Sequence, residues 1–345
     1  MKLRPVMPFD EQDSIEAVNI SPAIAVNSIG LFSAYFLKLV LPSSPHVFST
    51  VSNLSYLFAA FCVQHRVTSG YVESPPCTSS RHHSYMTSNL STCACIFLTL
   101  LGSSSFAFHS ESVLFQPFHS FDILFGWLLV LNVAFTALSV SFYAWAGRRL
   151  TRQLHTSIFV GFLIAISALL IGYETVYKFQ LEFMTAMATT GIVCAVISRM
   201  LLIGERPKAT TIGYAIGEML VLICIVISAM SCQGELIGRP ITRDTALGVY
   251  DISHGVWHFL LSTAASIVYI RSLSVARMVE VGNSICVCRP SRLDMLGELA
   301  LLVFAVAASV LKEVDVGDGM LLVATAIVSC GLYVHACVTA LDAVF

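Results

Sequence analysis

Charge is what this chain has least of. Asp, Glu, Lys and Arg make up 12 % of its 345 residues, about half the share of a soluble domain, so water is not its main solvent. The formal net charge of −2 excludes a basic nucleic-acid binder read from charge alone. Eleven cysteines are present without a C-x-x-C pair, which argues against a disulfide framework or a thiolate zinc finger. Most sit in apolar runs as small hydrophobes; Cys286 and Cys288, on a basic stretch behind an apolar segment, are candidates for palmitoylation. No basic region precedes the first apolar run, which lies behind Asp10, Glu11, Asp13 and Glu16, so no signal peptide is expected. Repeats and low-complexity tracts are absent as well.

What the chain does have is apolar length. Hydrophobic residues make up 56 % of it and the mean hydropathy is +0.80. A hydrocarbon core about 30 Å thick takes roughly 20 apolar helical residues to span. Ten segments qualify: Ser21–Leu41, His46–Gln64, Leu90–Phe108, Phe121–Trp145, Thr156–Tyr173, Leu181–Ile203, Ile212–Ser231, Ser253–Ile270, Leu296–Leu311 and Met320–Val344. The first is the weakest, because Lys38 sits inside it, and an interfacial helix is the alternative there. The runs do not alternate as barrel strands would, so the expected fold is an all-α membrane protein.

Lys and Arg placement sets orientation. Thirteen of them, from Lys2 to Arg292, fall on the side that holds the Arg66–Asn89 loop, against Lys178, Arg239, Arg243 and Lys312 on the other. That makes the first side cytosolic, with both termini on it, in a plasma or secretory-pathway membrane.

Ionisable groups at membrane depth are expensive, so each is a functional candidate. In Tyr250–Leu261, YDISHGVWHFLL, His254 and His258 are spaced i, i+4 at the start of a span and project from one helix face. One helix can thereby offer two imidazoles to one metal ion. A catalytic zinc takes three protein ligands and keeps a fourth position open. The third ligand expected is His109, ending the span that runs through Gly102–His109; the topology count puts all three histidines at the non-cytosolic face. Ser105 lies one turn before His109, and Asp122 opens the next span at the same level, placed to accept a proton or orient an imidazole.

Other polar residues read more plainly. His335 is a packing histidine, His119 a loop residue within reach of substrate, and His82 and His83 lie on the opposite side. Glu218 and Glu298 read as solvated or paired, Glu174 and Lys178 as a pair with each other, and neither Asn53 nor Asn89 as a glycan acceptor.

Ser105, His109, Asp122, His254 and His258 together resemble the pattern of the CREST superfamily of seven-span membrane proteins. That superfamily groups alkaline ceramidases, adiponectin and progestin receptors, systemic RNA interference transporters and the myomaker-like family. Its pattern is a serine four residues before a histidine late in core helix 2, an aspartate early in core helix 3, and H-x-x-x-H opening core helix 7. The myomaker-like branch, which includes a phospholipase A2 acting on GPI anchors, is the nearest likeness. Ser52-Asn-Leu-Ser-Tyr-Leu-Phe58 is similar to its S-N-L opening and His254-Gly-Val-Trp-His258 to its H-S-x-W-H. Where that branch continues H-A-C-D, this chain has Ser110 and Glu111 after His109, and Glu111 takes no assigned role. The resemblance covers about His46 to Ser272.

The resemblance implies residues 1–45 as an acidic segment with an extra span, 46–272 as a seven-helix core, and 273–345 as a cytosolic linker and helical hairpin. It implies Zn2+ held by His109, His254 and His258, with Ser105 and Asp122 as catalytic residues, hydrolysing an ester or amide of a membrane lipid that enters from the bilayer. No nucleic-acid partner is expected. The other classes are a membrane-remodelling or fusion-type protein with a structural zinc, and a transport channel.

Overall fold

The computed structural model of the chain describes residues 20–44, 46–69, 85–110, 118–146, 180–201, 209–233, 251–281 and 292–313, together with Ile327 and Gly331. Among these residues all regular structure is helical: α1 (Ser21–Val40), α2 (Val47–Ser52), α3 (Leu54–Ser69), α4 (Tyr85–His109), α5 (Phe118–Ala146), α6 (Gln180–Leu201), α7 (Ala209–Gln233), α8 (Asp251–Val281) and α9 (Arg292–Glu313). Seven stretches are long and apolar enough to cross a membrane, one each in α1, α4, α5, α7, α8 and α9 and one running through α2 and α3. The fold is an all-α membrane fold. Of the ten spans expected, Thr156–Tyr173 lies outside the described residues, as does Met320–Val344 except for Ile327 and Gly331. Leu181–Ile203 corresponds to α6, whose apolar stretch is the shorter Met187–Ser198.

Helix α8 is the axis of the bundle. It touches all eight other described helices, and 94 % of its spanning window is buried, so it is an interior helix rather than a lipid-facing one. Its composition permits this. Small residues (Ser262, Thr263, Ala264, Ala265, Ser266) let neighbouring backbones come close, the usual basis of helix packing in a membrane. Large apolar side chains such as Phe36, Phe61 and Val303 face outward, where lipid makes their exposure cheap.

The span expected as one helix over His46–Gln64 is broken at Asn53. The Asn53 side-chain amide donates to the carbonyls of Ser49 (2.8 Å) and Thr50 (3.4 Å), competing with the helix ladder for those acceptors. Asn53 is thereby buried and held, while Asn89 is exposed on α4. The outcome is a separate short helix, α2, wedged against α1, α4 and α8.

Helix α1 packs into the bundle and is long and apolar enough to cross a membrane. Lys38, which weakened it as a span, is buried and pairs with Asp251 of α8 at 3.0 Å. Asn27 donates to Thr263 and Ser266, both at 3.3 Å. A Cβ on Gly30 would lie 2.7 Å from the Ser55 backbone nitrogen, so α1 and α3 meet at glycine contact. At the opposite end of α8, Arg271 pairs with Glu218 of α7 at 2.7 Å and with Glu298 of α9. The backbone N–H of Ile20 donates to Asp294 of α9 at 3.1 Å. Glu218 and Glu298 are therefore paired. Arg271 and Lys312, assigned to the loops in the orientation count, are buried in the bundle; without them the thirteen-to-four asymmetry is twelve to three and keeps its sign.

A Cβ on Gly255 would lie 2.7 Å from Phe48 Cε1 and 3.0 Å from Ser52 Oγ. Gly255→Ala is expected to overpack the α2–α8 contact and destabilise by about 1–3 kcal/mol, seen as a lower thermal midpoint in detergent; an unchanged midpoint would contradict this close approach.

Candidate metal centre

The three imidazoles of the centre come from two helices, α4 and α8, at one end of the bundle. His109 is the last residue of α4, while His254 and His258 occupy the first two turns of α8 on one face. All three are buried. Their ring centroids form a triangle with sides of 4.8 Å (His109–His254), 5.3 Å (His109–His258) and 4.6 Å (His254–His258). One nitrogen from each lies within 4.8 Å of the others, and the Nε2 atoms of His109 and His254 are 3.1 Å apart. Nitrogens bound about 2.0–2.1 Å from a tetrahedral ion sit roughly 3.3 Å from one another, so the triangle needs only small shifts to close on a metal. This group can hold a metal ion. It is the set of three named from spacing, now brought together by packing.

Hydrogen bonds fix how one of these ligands presents itself. His258 Nδ1 lies 3.1 Å from the Ser49 carbonyl and 3.0 Å from Ser52 Oγ. A carbonyl only accepts, so Nδ1 carries the proton and donates it. Nε2 is left with its lone pair turned toward the other two imidazoles. Locking the tautomer through the far nitrogen is the usual way a protein prepares a metal-binding histidine.

The short helix α2 organises this arrangement. Asp251, in the first turn of α8, accepts from the backbone N–H groups of Phe48 (3.2 Å) and Ser49 (2.8 Å), from Ser49 Oγ (2.8 Å) and from Lys38 Nζ (3.0 Å). Its carboxylate thus satisfies two N–H groups that the start of any helix leaves without an internal partner. Thr50 Oγ1 donates to the His109 carbonyl at 2.7 Å, closing the end of α4. One six-residue helix therefore holds His109 and His258 at the same level.

Ser105 and Asp122 reach the same place. Ser105 is buried, with its Oγ 3.3 Å from His258 Nε2, and it hydrogen-bonds the Asp122 carboxyl. Asp122 is half-buried in the second turn of α5, and its Oδ1 is buried without a hydrogen-bond partner. Comparisons with family models, with curated proteins and with solved structures gave no significant match for this chain.

Several residues of the centre carried no assignment in the sequence. Asp251 and Lys38 are a buried pair, and a lone lysine in an apolar span was the available signal, since such a charge needs a partner. His46 takes a left-handed backbone (φ 58°), an uncommon state for a residue other than glycine. Its ring is 6.3 Å from that of His109, and its buried Nδ1 has no partner. Lys312, at the end of α9, donates to the Ser231 carbonyl. His335, His82, His83, Glu111, Glu174, Lys178, Cys286 and Cys288 lie outside the described residues, as does the side chain of His119.

His254→Ala or His258→Ala should abolish stoichiometric metal binding in detergent-purified protein, read by elemental analysis. Ser52→Ala keeps every ligand and is expected to weaken the metal by about 10–100-fold, read by chelator competition. Equal affinity in wild type and S52A would assign the tautomer lock to the Ser49 carbonyl alone.

Proposed function

We propose that this chain is a zinc-dependent intramembrane hydrolase of the CREST type, cleaving an ester or amide bond of a membrane lipid. The observation that carries the reading is the convergence of three imidazoles, a hydroxyl and a carboxylate at one buried point in a bundle of membrane-spanning helices. Imidazole ligands suit zinc among the common metals. Zinc bound there would supply an activated water and a Lewis acid for the carbonyl.

The chain's own groups do the rest. His109, His254 and His258 hold the ion as neutral ligands, His258 in the tautomer set by Ser49 and Ser52. Ser105 donates to Asp122 and aims its carboxylate at the ion's position. Asp122 takes a proton from the attacking water as the water oxygen bonds to the carbonyl carbon. It returns that proton to the leaving oxygen or nitrogen as the ester or amide bond breaks, which conserves atoms and charge. Exposed apolar residues of α4 and α5, Phe106 and Phe121 among them, support entry of acyl chains from the bilayer. Termini on the cytosolic side, with the centre at the opposite face, complete the proposed topology.

One observation favours a second reading, a structural zinc in a membrane-remodelling protein. His46 offers a fourth buried nitrogen beside His109, and a fourth protein ligand would close the site to water. Turnover separates the two. Asp122→Asn should keep zinc and thermal stability while lowering kcat on phospholipid or ceramide vesicles by about 10²–10⁴-fold, with product followed by mass spectrometry. Stoichiometric zinc without turnover of any lipid in the wild type, joined to a lower thermal midpoint on zinc removal, would move the assignment to the structural reading.

A further inference from the structure

Tyr56 stands one turn beyond Ser52 on the α2–α3 span and is completely buried. Its ring meets the edge of His258 with centroids 5.8 Å apart. Its phenol oxygen has no hydrogen-bond partner, although buried hydroxyls are almost always bonded. Ser105, which hydrogen-bonds the Asp122 carboxyl, lies 3.3 Å from His258 Nε2, so Tyr56 and Asp122 flank the same imidazole, and Asp122 Oδ1 is also buried without a partner. The two orphans are complementary. A phenol O–H seeks an acceptor, and a carboxylate oxygen seeks a donor. Only a group that both accepts and donates satisfies the pair together, and a hydroxyl group is such a group.

Helix geometry supports this placement. Side chains lean toward the N-terminus of their helix, so Tyr56 tilts back from its own backbone toward the level of Ser52 and the histidines. Removing a hydroxyl that is bonded in the folded chain costs stability. Removing one that waits for a ligand does not.

We propose that Tyr56 is a catalytic residue of this site, donating a hydrogen bond to the oxygen of the water molecule whose proton Asp122 accepts. The proposal rests on the hydrolase reading above and adds a water-positioning donor to it. Tyr56 fixes the water oxygen from one side while Asp122 draws on its hydrogen from the other, so the lone pair that attacks the lipid carbonyl is aimed before the bond forms.

Tyr56→Phe tests this with four readouts on zinc-loaded protein in detergent. Zinc content should stay at the wild-type value. The thermal midpoint should be equal or higher, because an unsatisfied hydroxyl has been removed. On lipid substrate, kcat should fall ten- to a hundredfold with KM unchanged. Acetohydroxamate, a small chelator carrying its own hydrogen-bonding oxygens, should bind about tenfold more weakly, the loss of one hydrogen bond. That last measurement needs no turnover, so it separates the two ideas. Wild type that holds zinc but cleaves no lipid overturns the hydrolase reading, and Tyr56 as an oxygen-binding donor then stands or falls on the hydroxamate affinity. A Phe variant that loses zinc, melts lower or fails to fold assigns the phenol to packing and overturns the proposal. So does one whose kcat and hydroxamate affinity both match wild type.

Discussion

The carboxylate of Asp251 accepts from four donors on two other elements, and the geometry of the histidines depends on that one group. It neutralises Lys38 of α1, meets two bare N–H groups of α2 and begins the helix that carries His254 and His258. In a medium without water, each of these polar groups would cost several kcal/mol if left alone. Satisfying all of them on one carboxylate ties three helices at a single level. The imidazole of His258 then has a fixed acceptor in Ser49, and the carbonyl of His109 has a fixed donor in Thr50.

A second polar knot, Arg271 with Glu218 and Glu298, holds the far end of the same axial helix. Between the knots the bundle is packed through small residues, and outside them it is faced with large apolar ones. This inverts the plan of a soluble bundle for a physical reason. Lipid supplies no hydrophobic drive for helices to associate, so close backbone contact and buried polar pairs do that work. Gly30 and Gly255 mark the tightest approaches, one joining α1 to α3 and the other joining α2 to α8.

The centre combines full satisfaction with deliberate incompleteness. His258 Nδ1, the His109 carbonyl and Asp251 have their partners. Tyr56, Asp122 Oδ1 and His46 Nδ1 keep buried atoms without one, clustered where the three imidazoles converge. Buried polar atoms are nearly always bonded in proteins, and this bundle leaves others unpaired as well, among them Asn27 Oδ1, Asn132 Nδ2 and Thr136 Oγ1.

The sequence by itself determined the all-α membrane class and the candidate ligands. Twenty-residue apolar runs have only helices as a solution in lipid, and i, i+4 spacing on a helix leaves His254 and His258 on one face. Counting spans also put His109 and Asp122 at the same end, because alternation of direction is fixed once crossings are counted. Tertiary structure alone decided that Lys38 is an interior anchor rather than a flaw in the first span, and that Asn53 breaks the second. It alone decided that Ser49, Ser52, Tyr56 and Asp251 belong to the centre. These residues are spread over some two hundred positions and share no local period, so no spacing rule relates them. Their roles arise from hydrogen bonds between helices, and those exist only once α2 is seated between α4 and α8.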